Sequence, residues 1–342
     1  MIKIGINGFG RIGRQVFKAL YDYYSDKVEV VAINDITDTL TLAHLLKYDS
    51  NYGRFAGNIE ATSESIKING KSVKVHSQKD PALIPWEDTG AELIIESTGL
   101  FTDAKTAGVH FKGKVKKVLI SAPAKGEDIT LVLGVNHQLY NIEKHNIISM
   151  ASCTTNSLAP VSKVLLDYFG IEKGLMSTVH AYTNDQRILD LPHTDLRRAR
   201  AAAINLIPTS TGAAKAISLV LPTLEGKMHG IAFRVPLSTV SLIDLTVVTS
   251  KNTTIVQVNE AFKNESLHAL KGVLGYTEEP LVSSDFKGIT YSTVVDGLST
   301  VVIGGNLVKV LAWYDNEWGY AVRLADAVNF VMTGNYHITE GK

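Results

Sequence analysis

The sequence predicts an α/β protein of two domains: a doubly wound parallel sheet first, then an α+β domain built on a mainly antiparallel sheet. Three observations carry this. In the first half, short apolar runs alternate with helical patterns. In the second half the strand-like runs lengthen and are separated by turn signals. The chain's 342 residues, 45% of them hydrophobic, are enough for about two domains. Disorder, collagen-like repeats and a disulfide framework are excluded on composition.

The elements follow in order. Ile2–Asn7 is predicted as an apolar strand, Ile12, Val16, Phe17 and Leu20 recur at helical spacing, and Val28–Ile33 is a second apolar strand. Strands are next expected at Leu93–Ile95, Lys117–Ile120, Thr130–Val135 and Asn146–Ser149. Buried strands alternating with helices indicate parallel pairing. The second half carries expected strands at Leu175–Tyr182, Gly230–Val235, Val240–Val248, Thr293–Val295 and Val308–Trp313, with a hairpin turn at Gly304-Gly305-Asn306. Helices are expected over Gly212–Leu221 and Val256–Phe262 on one face of that sheet. A final helix from near Asn316 carries Val322, Ala325, Val328 and Met332 on its buried side. The first domain is thus expected to span residues 1–152, completed by a helix over 316–342, and the second 153–315.

The charge balance, 34 Lys and Arg against 34 Asp and Glu, argues against nucleic acid as the main partner, because such binding rests on clustered cations. The dense basic run Lys112, Lys114, Lys116 and Lys117 reads as a solvated surface. No apolar stretch approaches the ~18 residues that span a bilayer, and the N-terminus has no secretion pattern. A soluble cytoplasmic protein with no membrane partner is expected, and no metal.

Gly8-Phe9-Gly10-Arg11-Ile12-Gly13 fits GxGxxG. Alone the pattern is weak; here it follows a strand, opens an amphipathic helix and precedes a second strand that ends at an acid. Gly8 permits the tight turn, Gly10 lets the backbone approach a pyrophosphate, and Gly13 allows close packing of helix on strand. The positive end of the helix then holds the phosphates. Asp35 stands 22 residues after Gly13, close to the usual spacing, where its carboxylate accepts from ribose hydroxyls and repels a 2′-phosphate. NAD is the expected cofactor.

Cys153 is the only cysteine, so it forms no internal disulfide and is either an inert buried thiol or a reactive one. It follows an apolar strand and starts a helical run, with Pro160 expected in an early, tolerant turn. A helix N-terminus favours the thiolate, which predicts a lowered thiol pKa. A cysteine nucleophile usually works with histidine, and spacing alone does not choose among ten. His180 ends an apolar run, where a core histidine bonded to backbone is the ordinary reading. Arg234 lies inside the apolar Ile231–Val235, and a buried arginine calls for an anion such as phosphate or carboxylate. Thr209-Ser210-Thr211-Gly212 opens a helix and offers hydroxyls and N–H groups to an anion.

With these residues in view, the chain resembles phosphorylating glyceraldehyde-3-phosphate dehydrogenases over practically its whole length. The match is carried by INGFGRIGR at 6–14, Ser152-Cys153-Thr154-Thr155-Asn156, HAYTNDQ at 180–186, DLRRAR at 195–200, TSTGAAKA at 209–216, Arg234-Val235-Pro236 and WYDNEWGY at 313–320. The resemblance implies a Rossmann NAD-binding domain and a catalytic domain, with glyceraldehyde 3-phosphate and inorganic phosphate as substrates. It makes Cys153 the nucleophile and His180 its activator, and gives the substrate's phosphate to Thr183 and Arg234. Ser152, Thr154, Arg198, Thr211 and Gly212 then surround the incoming inorganic phosphate. Arg11, Ile12, Asp35, Ser121 and Asn316 are implied as cofactor contacts, with Thr98 and Lys79 beside them. Family members are typically homotetramers, and residues 182–205 resemble a loop that packs against a neighbouring subunit.

Three departures or markers stand out. Many relatives carry a second cysteine four residues after the nucleophile; here that position is Ser157, which removes one route to a local disulfide. Leu237-Ser238-Thr239 replaces a Thr-Pro-Asn type segment, which bears on subunit contacts. Leu191-Pro192 matches the NAD-dependent members. Two other readings are weighed: an erythrose-4-phosphate dehydrogenase with the same nucleophile, and a catalytically silent NAD-binding sensor. Thr183 and the intact TSTGAAKA run favour the glycolytic reaction, and a sensor has no need of Cys153, His180 and two phosphate sites together.

Overall fold

The computed structural model describes residues 1–340 and divides into two compact units. The first comprises Met1–Leu131, Gln138–Ala151 and Leu324–His337; the second comprises Val132–His137, Ser152–Arg323 and the segment from Ile338 onward.

The first unit is built on a nine-stranded sheet. In chain order its elements are β1 (Ile2–Asn7), α1 (Arg11–Tyr24), β2 (Val28–Asn34), α2 (Thr39–Lys47), β3 (Ile59–Ala61), β4 (Ser65–Ile68), β5 (Lys71–His76), β6 (Leu93–Glu96), β7 (Lys117–Ile120), β8 (Ile129–Thr130) and β9 (Ile147–Ser149). The strand order is β8-β9-β7-β6-β1-β2-β5-β4-β3. All pairings from β8 to β5 are parallel, and β4 and β3 extend the sheet antiparallel. The central strands are apolar because both faces are covered: Ile4, Ile6, Leu93, Ile94, Ile95, Val118 and Leu119 have no solvent exposure.

The β4–β5 hairpin was not expected. Its turn is Asn69-Gly70, with φ of 49° and 83°, the left-handed pair that a two-residue hairpin with the sheet's twist requires. The strand expected over Thr130–Val135 is corrected to Ile129–Thr130. The apolar run continues as a buried turn instead, in which Val135 N–H donates to Val132 O (3.0 Å), Val132 N–H donates to Asn136 Oδ1 (2.8 Å), and Gly134 takes a φ of 85°.

The second unit carries α3 (Cys153–Phe169), β10 (Lys173–Ala181), β11 (Ile207–Ser210), α4 (Ala213–Val220), β12 (Met228–Val235), β13 (Ser241–Val248), α5 (Ile255–Leu267), β14 (Leu274–Thr277), β15 (Thr293–Ile303) and β16 (Leu307–Tyr314). Its seven-stranded sheet runs β11-β12-β10-β13-β16-β15-β14, with four antiparallel pairings and two parallel ones. Alternate residues of β13 and β16 are buried, among them Ile243, Leu245, Val247, Val308, Val310 and Ala312, so the helices cover one face. The opposite face leaves Leu175 and Ile231 exposed.

The last helix, α6, spans Trp318–Thr333, which corrects the expected helix over 316–342. Asp315 fixes its start by accepting from Glu317 and Trp318 N–H, and Gly334, at φ 74°, ends it with its N–H on Phe330 O. Gly341 and Lys342 of that expectation lie outside the described residues. Among the described residues, no helix is long and apolar enough to cross a membrane.

Candidate active site

The dinucleotide motif folds as its spacing requires. Gly8 adopts φ 86°, a Cβ on Gly13 would stand 2.2 Å from Gly8 O, and a Cβ on Gly10 would meet nothing within 4 Å. The first two observations explain the turn and the tight helix–strand packing. The third leaves the backbone open to a ligand. No side chain caps α1, whose first N–H groups, including those of Arg11 and Ile12, point out of the helix end. These features fit a dinucleotide pyrophosphate.

Asp35 follows β2, accepting from Phe9 N–H (2.7 Å) through Oδ2 and from Thr37 N–H (2.9 Å) through Oδ1. It therefore fixes the glycine turn. The Arg11 guanidinium is committed to a two-pronged bond with Asp49 (2.7 and 3.2 Å). Asp49 also accepts from Gln15 Nε2 (2.6 Å) and lies 3.6 Å from Lys18 Nζ. Burial alone would raise the Asp49 carboxyl, but the Arg11 hydrogen bond and charge, backbone N–H bonds and Lys18 hold it down at about 2. Thr98 and Ser121 follow β6 and β7, and Lys79 is exposed shortly after β5. The expected cofactor residues of this unit thus gather at the C-terminal ends of the parallel strands, where ligands bind in such sheets.

In the second unit, Cys153 is the first residue of α3. Ser152 caps the helix, its Oγ accepting from Thr155 N–H (3.1 Å). Ala151 adopts φ 53°, a conformation that costs a non-glycine residue about 1–2 kcal/mol and turns the chain sharply into the helix. Nothing in the residue's identity signalled that strain. Pro160, expected in an early turn, is the eighth helical residue and stands inside α3.

His180 is the penultimate residue of β10 and is 4% exposed. Its Nε2 lies 3.6 Å from Cys153 Sγ. Strand register brings in the third member: β10 and β12 run parallel with His180 opposite Arg234, so both side chains leave the same face of the sheet. Arg234 Nη1 stands 2.8 Å from His180 Nδ1 and 3.1 Å from Ala181 O, while Nδ1 is 2.7 Å from Ala181 O. Arg234 Nε is buried without a hydrogen-bond partner.

Burial, then the Arg234 charge, lowers His180 to about 3. Burial also pushes the Cys153 thiol up, against the opposing pull of Arg234 and of hydrogen bonds from Thr154. The expected lowering of the thiol by the helix end is therefore corrected: enclosure outweighs it.

Tyr314 was missed by sequence reasoning although it lies in the WYDNEWGY run. Its buried hydroxyl joins Thr154 Oγ1 (3.0 Å) to Thr178 Oγ1 (2.8 Å), and its ring meets the His180 imidazole edge-on at 6.0 Å. It fixes the imidazole plane and the Thr154 side chain together.

Arg198 sits in a separate polar cluster. It pairs with Asp185, donates from Nε to Thr209 Oγ1 (2.9 Å) and from Nη2 to Ser210 O (3.1 Å), and lies 3.6 Å from Asp195. Thr211 and Gly212 lead into α4, with Thr211 Oγ1 accepting from Ala213 N–H (3.2 Å). Thr183 begins the turn after β10, where Gln186 N–H donates to its carbonyl (2.9 Å). Asn316 Oδ1 accepts from Ser241 Oγ (3.0 Å). Ser157 donates to Thr293 Oγ1 (2.9 Å) inside the unit.

A strand-end dinucleotide fold in one unit and a buried thiol–imidazole pair beside Arg234 in the other point to the class of nucleotide-dependent oxidoreductases. Comparison with known proteins gives the same class. Residues 2–104 match the NAD binding domain of glyceraldehyde 3-phosphate dehydrogenase, and residues 152–316 match its C-terminal domain. The chain is 58% identical to glyceraldehyde-3-phosphate dehydrogenase 1 of Bacillus cereus, over 97% of this chain and 99% of that protein. It is 54% identical to the glyceraldehyde-3-phosphate dehydrogenases of Geobacillus stearothermophilus and Thermotoga maritima, each over 97% of this chain, covering 98% and 99% of those proteins. The chain belongs to the glyceraldehyde-3-phosphate dehydrogenase family, and it is an NAD-dependent dehydrogenase.

Proposed function

We propose that the chain oxidises glyceraldehyde 3-phosphate to 1,3-bisphosphoglycerate with NAD and inorganic phosphate, using Cys153 as nucleophile and His180 as its base. The observation that carries this is the 3.6 Å approach of Cys153 Sγ to His180 Nε2, with Arg234 on the imidazole's other side. Cys153 Sγ attacks the aldehyde carbon as His180 Nε2 takes the thiol proton, and the imidazolium then donates to the new oxyanion of the hemithioacetal. Bound NAD supplies the acceptor for the hydride that leaves this carbon. His180 removes the hydroxyl proton as the carbonyl of a Cys153 thioester forms. Phosphate attacks that carbonyl and expels the Cys153 thiolate, giving the acyl phosphate.

Two anion sites are needed, one for the phosphate the substrate carries and one for the phosphate that enters. Thr183 and Arg234 serve the first; Ser152, Thr154, Arg198, Thr211 and Gly212 serve the second. Gly8, Gly10, Arg11, Ile12, Gly13, Asp35, Thr98, Lys79, Ser121 and Asn316 are assigned to NAD. We place the protein in the cytoplasm as a homotetramer. Ile188, Leu189, Leu196 and Ile204 are 71–81% exposed within the 182–205 segment, apolar surface that suits contact with a second copy. Light scattering on the purified protein tests that assembly.

The deciding assay follows NAD reduction with glyceraldehyde 3-phosphate, with and without phosphate. Turnover that needs phosphate or arsenate is expected. Equal turnover without either, or a large preference for erythrose 4-phosphate, overturns the reading.

A further inference from the structure

A buried polar chain runs beneath the cofactor residues of the first unit and, Thr98 apart, is used by none of the chemistry above. Glu96, 1% exposed at the end of β6, is its centre. From one side, Gln78 N–H donates to Asn34 Oδ1 (2.8 Å), Asn34 Nδ2 donates to Asn7 Oδ1 (2.8 Å), and Asn7 Nδ2 donates to Glu96 Oε2 (2.5 Å). From the other, Trp86 Nε1 donates to His110 Nδ1 (3.0 Å), and His110 Nε2 lies 3.0 Å from Glu96 Oε2. The remaining oxygen, Oε1, accepts from Thr98 N–H (2.9 Å) and from the Thr98 hydroxyl.

The direction of every bond is dictated by the ends. An indole N–H and a backbone N–H only donate. Trp86 therefore requires a lone pair on His110 Nδ1, which leaves the proton on Nε2 and makes that nitrogen the donor to Glu96. Gln78 N–H requires the oxygen of Asn34 to face it, which turns the Asn34 amide nitrogen towards Asn7, and Asn7 in turn donates to Glu96. Two lines of donors converge on one carboxylate. Only a group that accepts at all four positions fits there, and glutamine does not. Asn7, Asn34, His110 and Trp86 are at most 3% exposed, so no water substitutes for a missing partner without rearrangement.

The members of this chain alternate with the residues assigned to the cofactor. Asn7 precedes Gly8, Asn34 precedes Asp35, Gln78 precedes Lys79, and Thr98 is itself both. These pairs lie at the ends of β1, β2, β5 and β6, neighbouring parallel strands. Strand pairing sets the spacing of the strands, but the chain leaves the sheet at these points and the ladder no longer holds it.

We propose that Glu96, with His110 as its tautomer-locked partner, is a positioning residue for NAD: it ties four strand ends into one rigid cradle. The proposal rests on the assignment of NAD to these strand ends. Glu96→Gln leaves an NH2 group facing two donors, which misplaces the segments it ties. Its Kd for NAD is expected to rise about tenfold or more, while kcat at saturating NAD stays within about threefold.

The test is calorimetric titration of NAD into the full-length protein, well below the melting temperature of each variant. His110→Gln keeps an acceptor for Trp86 and a donor for Glu96, and is expected to bind NAD within about twofold of the parent; His110→Leu keeps neither and is expected to lose about tenfold. This pair decides the matter where Glu96→Gln does not fold. Equal affinities for the two His110 variants, or a Glu96→Gln protein that binds as the parent does, overturn the proposal. A parent protein that binds no NAD at all overturns the cofactor assignment, and the proposal with it.

Discussion

His180 and Arg234 face each other across a pair of parallel strands, with Arg234 Nη1 2.8 Å from His180 Nδ1. The Ala181 carbonyl, 2.7 Å from the same nitrogen, competes for it. Donation to Ala181 needs a proton on Nδ1; acceptance from Arg234 needs a lone pair there. Only the first leaves Nε2 free to take the Cys153 proton. On the proposed function, a substrate phosphate that engaged Arg234 would settle the contest in favour of Ala181 and so prepare the base.

Arg234→Gln removes both the anion partner and a positive charge. Loss of about 10²–10³-fold in kcat/KM for glyceraldehyde 3-phosphate is expected. The Arg234 charge lowers both His180 and Cys153, so its removal raises both. The rate of Cys153 labelling by iodoacetamide, measured against pH, is expected to keep its shape and move its midpoint upward. A downward move contradicts the assignment.

His180→Asn removes the base and leaves the nucleophile. A fall in kcat of about 10²–10⁴-fold is expected, with stoichiometric labelling of Cys153 retained. Loss of labelling as well as turnover would instead mean that the histidine holds the site together.

Asp35 has two tasks, and two variants separate them. Asp35→Ala removes the acceptor for Phe9 N–H and the charge together, so it should weaken NAD more than the asparagine variant does. Asp35→Asn keeps an acceptor oxygen while removing the charge that repels a 2′-phosphate. The ratio of NAD to NADP affinity is expected to fall by about tenfold or more in the asparagine variant. An unchanged ratio removes Asp35 from cofactor selection.

Asp49 makes the first unit sensitive to acid. Its carboxyl is held at about 2 in the folded chain against an ordinary value of 3.8. A depressed value means stability present above the ordinary value and lost as pH falls towards about 2. Asp49→Asn is expected to cost about 2–3 kcal/mol at neutral pH, and the difference from the parent should shrink near pH 3. Urea midpoints at the two pH values measure it; a constant difference excludes the linkage.

The alternation of β1, α1 and β2 was legible because strands buried on both faces read as apolar runs and α1 repeats every three to four residues. The β4–β5 hairpin was legible in principle, since Asn69-Gly70 is a strong turn signal, but its flanks alternate polar and apolar too briefly to stand out. Thr130–Val135 misled because burial, rather than extension, makes that run apolar. At the candidate site, Cys153 and Arg234 were visible as a lone thiol and a cation in an apolar strand. The resemblance was needed to choose His180, because its role depends on strand register and on a sulfur 27 positions away. Glu96 and His110 left no pattern: their partners come from four separated segments, and only folding brings the donors together.

Ser157 donates to Thr293, and Cys153 is alone in 342 residues. The unmodified sequence is therefore its own single-cysteine variant. A fluorine tag on that sulfur gives one resonance per chain, and its intensity counts competent sites directly. A nitroxide there, in an assembly of identical copies, would turn every measured electron–electron distance into a separation between the Cys153 sulfurs.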